Sequence, residues 1–269
     1  MIPYGRQNIT DEDIDAVIKV LKSDFITQGP AVEAFEASLC AITGANAAVA
    51  VNSATSALHI ACSALGLGPG DFLWTVPNTF LASANAAVMC GAKVDFVDID
   101  PLTYNMSPQK LADKLAEAER CRQLPKIVMP VHFSGQSCDM PAIKALSDKY
   151  GFRIIEDASH AIGGSYQERA VGSCSWSDVT VFSFHPVKII TTGEGGAAVT
   201  KNAELARRMQ LLRSHGMTRN SAEMFGSSEG PWYYQQVILG YNYRMTDIQA
   251  ALGLSQINRL SEYIELRQR

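Results

Sequence analysis

The stretch that decides the fold is Ala47-Ala48-Val49-Ala50-Val51-Asn52-Ser53-Ala54-Thr55-Ser56-Ala57-Leu58-His59-Ile60-Ala61-Cys62-Ser63-Ala64-Leu65. Ala47–Asn52 reads as a short apolar strand and Ala54–Leu65 as a helix, with small polar residues where one passes into the other. The same unit repeats downstream. Phe72–Val76 is a strand and Phe80–Cys90 a helix closed by Gly91; Lys93–Ile99 is a strand and Pro108–Arg120 a helix. Lys126–Phe133 is a strand, Met140–Tyr150 a helix closed by Gly151, and Arg153–Asp157 a strand. Strands alternating with helices predict right-handed βαβ units and an α/β fold, with a mostly parallel central sheet covered by helices on both faces.

Upstream, Thr10 and Asp13 resemble a capping box, with Asp in place of the usual Glu. Ile14, Val17, Ile18 and Leu21 follow at helical spacing. Pro30 opens a second helix with Phe35, Leu39 and Ile42 inward, ended by Gly44. Beyond Asp157 the rhythm changes. Asp178–Phe184 and Gly196–Thr200 are strands with no helix between them, and helix Asn202–Ser214 follows. Residues 226–243 read as loop, and Thr246–Leu266 as one long helix. The expected organisation is an N-terminal segment (1–30), a large domain (31–245) and a helix (246–269) leading to a smaller C-terminal domain.

The 269 residues are 47% hydrophobic and 19% charged, which allows a large core and suits a sheet buried on both faces. A net charge of −4 with no basic stripe argues against nucleic-acid binding. No apolar run is long enough to span a bilayer, so no membrane partner is expected. No leader opens the chain, and none of the six cysteines forms a C-x-x-C pair, so a reducing cytoplasm is expected.

Ligands of open parallel sheets sit beyond the carboxyl ends of the strands. Four polar clusters fall there: Asn52–Ser56, Asn78-Thr79-Phe80, Asp157-Ala158-Ser159-His160, and Ser183-Phe184-His185-Pro186-Val187-Lys188. The first can bind an anion at a helix N-terminus, or be a plain N-cap by Ser53. Asp157 can cap, ligate a metal or face a cationic ring. Glu156, next to it, should point to the other side of the strand. Lys188, between apolar residues, can be a desolvated nucleophile or a surface lysine. His160 and His185 can be bases or structural groups. Phe80 can be core or cover a flat ring. The glycines of Gly193-Glu194-Gly195-Gly196 allow close backbone approach, or form an ordinary turn. Gly66-Leu67-Gly68-Pro69-Gly70 resembles a dinucleotide loop but precedes its strand, which excludes it. Walker A, G-x-S-x-G and H-E-x-x-H motifs are absent, which weakens nucleotide-hydrolase, serine-hydrolase and zinc-protease readings.

Taken together the clusters resemble the DegT/DnrJ/EryC1/StrS sugar aminotransferases, of the pyridoxal 5′-phosphate (PLP) fold type I. The resemblance rests on Ile26-Thr27-Gln28-Gly29-Pro30, Asn52–His59, Glu156–His160, Ser183–Lys188, Gly193–Gly196 and Gly240-Tyr241-Asn242-Tyr243-Arg244-Met245. It implies that Lys188 holds PLP covalently and shuttles protons, and that Asp157 faces the pyridine nitrogen. Ala54, Thr55 and Ser183 would bind the phosphate, with Asn242 reaching the phosphate of a neighbouring subunit in a homodimer. Phe80 would stack on the ring and His160 lie near its hydroxyl. Tyr4 and Asp24-Phe25-Ile26-Thr27 would line a nucleotide-sugar site. The implied reaction moves an amino group from L-glutamate to a nucleotide-linked keto-sugar in two half-reactions.

Ile2–Gln7 and Val131–Gln136 are most similar to a subgroup that aminates C4 of a UDP-linked 4-keto-6-deoxy-N-acetylhexosamine on the way to pseudaminic acid. Alternatives are another nucleotide keto-sugar, a PLP sugar dehydratase, in which histidine replaces the lysine, or a non-catalytic regulator. Family members continue for roughly a hundred residues into a smaller C-terminal domain, so most of that domain is expected to be missing here.

Overall fold

The computed structural model describes residues 5–226 and 228–268. Its centre is a seven-stranded sheet built from β1 (Ala47–Val51), β2 (Phe72–Thr75), β3 (Lys93–Phe96), β4 (Ile127–Val128), β5 (Arg153–Asp157), β8 (Val179–Ser183) and β9 (Gly196–Thr200). Two small ribbons lie outside it, β6 (Ser165–Tyr166) with β7 (Arg169–Ala170), and β10 (Met217–Thr218) with β11 (Gln235–Gln236). The helices are α1 (Asp11–Leu21), α2 (Pro30–Thr43), α3 (Ala54–Ala64), α4 (Leu81–Met89), α5 (Pro108–Cys121), α6 (Met140–Tyr150), α7 (Ala203–Arg213), α8 (Asp247–Ile257) and α9 (Leu260–Gln268).

The sheet order is β1-β9-β8-β5-β4-β2-β3. β9 is antiparallel to both its neighbours, β1 and β8, and the remaining pairs are parallel. β1 therefore runs the same way as β2, β5 and β8, so their carboxyl ends share one edge. The alternating pattern predicted this arrangement. The sole reversal falls where the sequence has two strands and no helix between them.

Successive side chains on a strand face opposite ways, and the core divides accordingly. Val49, Val51, Leu73, Ile127, Ile155, Val179 and Val181 pack with α3, α4 and α7. On the other face Ala48, Ala50, Phe182 and Val199 meet Phe35 and Leu39 of α2 and Ala250 of α8. Trp74, Val128 and Ile154 meet α5 and α6 through Leu111, Leu115 and Ile143. Each such large side chain taken fully out of water stabilises the fold by about 1.5–3 kcal/mol.

Three expectations need correction. The helix of 246–266 is broken: α8 stops at Ile257 and α9 starts at Leu260. At the break Arg259 donates to Asp13 Oδ2 (2.7 Å) and Tyr263 Oη (2.9 Å), and Leu260 and Tyr263 of the second helix are buried. The apolar spacing of α1 does not mark its buried face. Ile14, Ile18 and Leu21 are exposed, whereas Asp13 is wholly buried, because its carboxylate takes the Thr10 N–H, the Gln256 amide and Arg259. Ile42 of α2 lies at the rim instead of inside.

Candidate active site

The four polar clusters meet at the shared carboxyl edge. β5 delivers two adjacent carboxylates to opposite sides. Glu156 turns inward, where it accepts from His132 Nε2 (2.7 Å), Thr180 Oγ1 (2.9 Å) and Ser177 Oγ. Burial alone would raise its pKa, but these donors outweigh burial and hold it below the usual carboxylate value. The Cys138 N–H donates to His132 Nδ1 (3.2 Å), so the proton of that imidazole sits on Nε2, facing Glu156.

Asp157 turns to the other side. Its Oδ2 accepts from Ser83 Oγ (2.6 Å), and its Oδ1 from Ser159 Oγ (2.6 Å) and Ser159 N (3.2 Å). Ser83 is in turn 2.7 Å from Thr79 Oγ1. With the Ser83 proton committed to Asp157, Thr79 is the donor in that pair. The carboxylate is thereby fixed in orientation at the end of β5.

Lys188 lies on the loop between β8 and β9. That loop is tied back on itself: Thr191 Oγ1 (2.9 Å) and Thr192 N (3.0 Å) both donate to the Phe184 carbonyl, and Ile190 is buried. Lys188 Nζ is 2.6 Å from His160 Nε2. An ammonium has only protons to give, so Nε2 accepts and the His160 proton is on Nδ1. Burial lowers the pKa of Lys188, and the Asp157 charge opposes that shift. His160 is also lowered, first by burial and then by the Lys188 charge, with Asp157 opposing. Lys188 and His160 are thus in direct contact, and the Asp157 charge is near enough to bear on both. Beside Lys188 is a cavity of about 160 Å³ bordered by Arg6, Asn8, Tyr263 and Arg267.

The N-terminus of α3 borders the same edge. Ser53 caps it, accepting from Ser56 N (3.1 Å), and Ser56 Oγ donates to Asn52 Oδ1 (2.7 Å). Ala54 and Thr55 occupy the first turn, whose N–H groups have no intrahelical acceptor. Gly196 pairs with Ser183 across β8 and β9 and backs directly onto Ala54. A Cβ at Gly196 would lie 2.4 Å from Ala54 N, so only glycine allows that approach. Ala54, Thr55 and the buried Ser183 are brought together, as a small anion cradle requires.

The other expected site residues are placed less decisively. Phe80, the N-cap of α4, is 78% exposed and free to cover a ligand at the mouth. Asn242 is exposed on a short ladder with Ser214, in the segment that lies along the end of β1. Asp24, Phe25 and Ile26 are exposed. Thr27 pairs with Thr246, and the Asp247 carboxylate caps Gly29 N and Ala31 N, so this segment is bound to the start of α8 and not to Lys188. Tyr4 lies outside the described residues. His185 is an exposed turn residue whose Nδ1 is 3.4 Å from Val187 N. Sequence reasoning missed Ser83 and Arg267. Ser83 carried no signal within an Ala-rich helix. Arg267 donates to the Lys188 carbonyl (3.3 Å) from α9, 79 residues away in sequence.

Comparison with known proteins agrees with this geometry. The chain belongs to the DegT/DnrJ/EryC1/StrS aminotransferase family, whose sequence profile matches residues 7–269. The cofactor of that family is PLP, and its solved structures include PLP and pyridoxamine-phosphate forms of one sugar aminotransferase. The chain is 43% identical over 267 residues to the spore coat polysaccharide biosynthesis protein SpsC of Bacillus subtilis, covering 99% of this chain and 66% of that one. It is 43% identical over 270 residues to the UDP-4-amino-4,6-dideoxy-N-acetyl-beta-L-altrosamine transaminase of Campylobacter jejuni strain 81-176, covering 100% and 67%. Among solved structures it resembles Helicobacter pylori PseC, an aminotransferase involved in pseudoaminic acid biosynthesis, with TM-score 0.87, 33% identity, and 97% and 66% coverage. The chain thus spans about two thirds of the length of these relatives. The residues present suit the cofactor: a helix N-terminus and a buried serine for a phosphate, a carboxylate held by two serines, and a partly desolvated amine against His160.

Proposed function

We propose that the whole protein transfers an amino group from L-glutamate to C4 of a UDP-linked 4-keto-6-deoxy-N-acetylhexosamine, in the biosynthesis of pseudaminic acid or a related surface sugar. The observation that carries this reading is the Lys188 Nζ–His160 Nε2 contact (2.6 Å) at the same sheet edge as the serine-held Asp157 and the first turn of α3. The name of the Campylobacter relative supports the choice of substrate.

PLP, when bound, supplies an electrophilic carbon that captures amines and a ring that accepts the electron pair left by proton removal. Lys188 is the residue to hold it and to move the proton, since its desolvated amine releases a proton more readily than a surface lysine. Asp157, oriented by Ser83 and Ser159, keeps the ring nitrogen protonated. Ala54, Thr55 and Ser183 hold the phosphate. Phe80 covers the ring and shields it from water, and His160 lies by the ring hydroxyl. Asn242 completes the phosphate site of a second subunit, so the working unit is a homodimer. Asp24–Thr27 border the nucleotide sugar, a role that the resemblance also gives to Tyr4. The cysteines form no disulfide, which suits the cytoplasm.

Two assays test this reading. The full-length protein is incubated with glutamate and a panel of UDP- and dTDP-linked 4-keto-sugars, and 2-oxoglutarate and amino-sugar are followed. Turnover of the UDP-linked N-acetylated substrate above the others is expected; turnover only of a dTDP-sugar would replace the substrate assigned here. Mixing Lys188→Ala with Asn242→Ala subunits should restore activity through one intact site per heterodimer, and no recovery on mixing would remove the shared site.

A further inference from the structure

Asn242 stands between two tyrosines on a segment whose backbone is held from both sides. Tyr241 N donates to the Leu212 carbonyl (2.7 Å) and Tyr243 N to the Arg213 carbonyl (3.0 Å). His215 N (2.8 Å) and Asn52 N (2.9 Å) donate to the carbonyls of Tyr241 and Tyr243. Asn242 itself pairs with Ser214, and on such an extended segment side chains alternate. The rings of Tyr241 and Tyr243 share one side, stacked 5.0 Å apart and 13° from parallel. Asn242 is exposed on the other.

Against the two rings lies His59 of α3, only 3% exposed. Its ring is 4.7 Å from that of Tyr241 and 5.9 Å from that of Tyr243. Its Nδ1 is 3.1 Å from Tyr243 Oη. Its Nε2 has no hydrogen-bond partner among the described residues, which leaves the Tyr243 hydroxyl to fix the imidazole. A buried imidazole loses solvation that an apolar side chain would not lose. What it contributes here, and what its buried neighbours Leu58 and Ile60 could not, is a polar hold on Tyr243.

We propose that His59 is a positioning residue for the cofactor-phosphate site of the neighbouring subunit: from α3 it clamps Tyr241 and Tyr243, and so aims the Asn242 between them at the partner. This rests on the shared site proposed above. The clamp sits five residues beyond Ala54, about 7.5 Å along the same helix. The helix whose first turn cradles one subunit's phosphate thereby also holds the arm that reaches for the other's. Tyr243 is gripped twice from that region, at its carbonyl by Asn52 N and at its hydroxyl by His59. His59 does this without touching the cofactor, so its loss acts on the partner's site and not on its own.

The test uses full-length heterodimers with differently tagged subunits, one of them carrying Lys188→Ala. Borohydride then fixes PLP only on the subunit that keeps Lys188, and the PLP concentration that gives half-maximal label reads the affinity of that one site. Tyr243→Phe, which removes a hydroxyl and keeps the stack, is placed on either subunit. On the Lys188→Ala subunit it should raise the half-saturating concentration about two- to tenfold, the range of one neutral hydrogen bond. On the labelled subunit that shift should fall away. His59→Phe, which keeps a ring against Tyr241, should give the same asymmetry. An equal shift in both arrangements, as general loss of structure would give, or a shift confined to the labelled subunit would overturn the proposal. Asn242→Ala is run alongside. If it acts across the dimer and the two clamp variants do not, the clamp alone falls; if it does not, the shared site falls and the clamp with it.

Discussion

Glu156 and Asp157 are neighbours on one strand and both buried, yet the fold uses them in opposite ways. Glu156 faces three donors, on His132, Ser177 and Thr180, in a closed network. Asp157 is fixed by Ser83 and Ser159 on the side where the Lys188 amine and His160 lie. The pleat of β5 sends the two carboxylates apart, so that one helps to hold the sheet and the other is available for chemistry. Polar residues in this protein are thus sorted by strand parity as firmly as apolar ones.

The contrast can be broken in a definite order of effect. Lys188→Ala should abolish transamination, by about 10³-fold or more, since proton transfer and attachment are lost together; steady-state assays of the full-length variant measure this. The exchange of roles on β5 comes next. Asp157→Ala should cost about 10²-fold in rate with a small change in unfolding midpoint. Glu156→Ala should destabilise by about 3–5 kcal/mol in denaturant unfolding, because a buried group is removed and its partners are left unpaired. If the two variants had the same profile, the contrast would fail.

Gly196→Ala should follow. Its methyl would press on Ala54 N, which backbone cannot relieve cheaply. We expect at least about tenfold weaker cofactor binding by fluorescence titration, and about 1–3 kcal/mol of lost stability from overpacking. The smallest effect is the pH dependence of the cofactor-free protein. Burial lowers the folded-state pKa of Lys188, so the unfolded chain holds that proton more tightly. Stability therefore rises with pH from the lowered value up to the ordinary lysine value of about 10.4. Lys188→Met should flatten that rise in thermal unfolding.

Most of the sheet was legible because its units are regular. Apolar runs such as Arg153–Asp157 end in polar residues, and helices end at glycines with positive φ, Gly44 and Gly151. The β6–β7 hairpin was not legible. Its turn puts Gln167 and Glu168 at positive φ, and neither is the Gly or Asn that announces such a turn. The break at Arg259 and the exposed stripe of α1 were hidden for a common reason. Both go with the pairing of buried Asp13 with Arg259, whose members are far apart in sequence. In the site, the clusters around Asp157 and Ser183–Lys188 could be read from strand ends, whereas the pairing of Ser183 with Gly196 could not. Ser83 could not, since a serine in an Ala-rich helix carries no mark of the carboxylate it meets.

The most direct measurement is reduction of the purified, PLP-loaded full-length protein with borohydride, followed by peptide mapping of the phosphopyridoxyl label. The account predicts one label, on the peptide carrying Lys188, and markedly weaker loading in Asp157→Ala. Label on a different lysine, or none in a folded protein saturated with PLP, would contradict it.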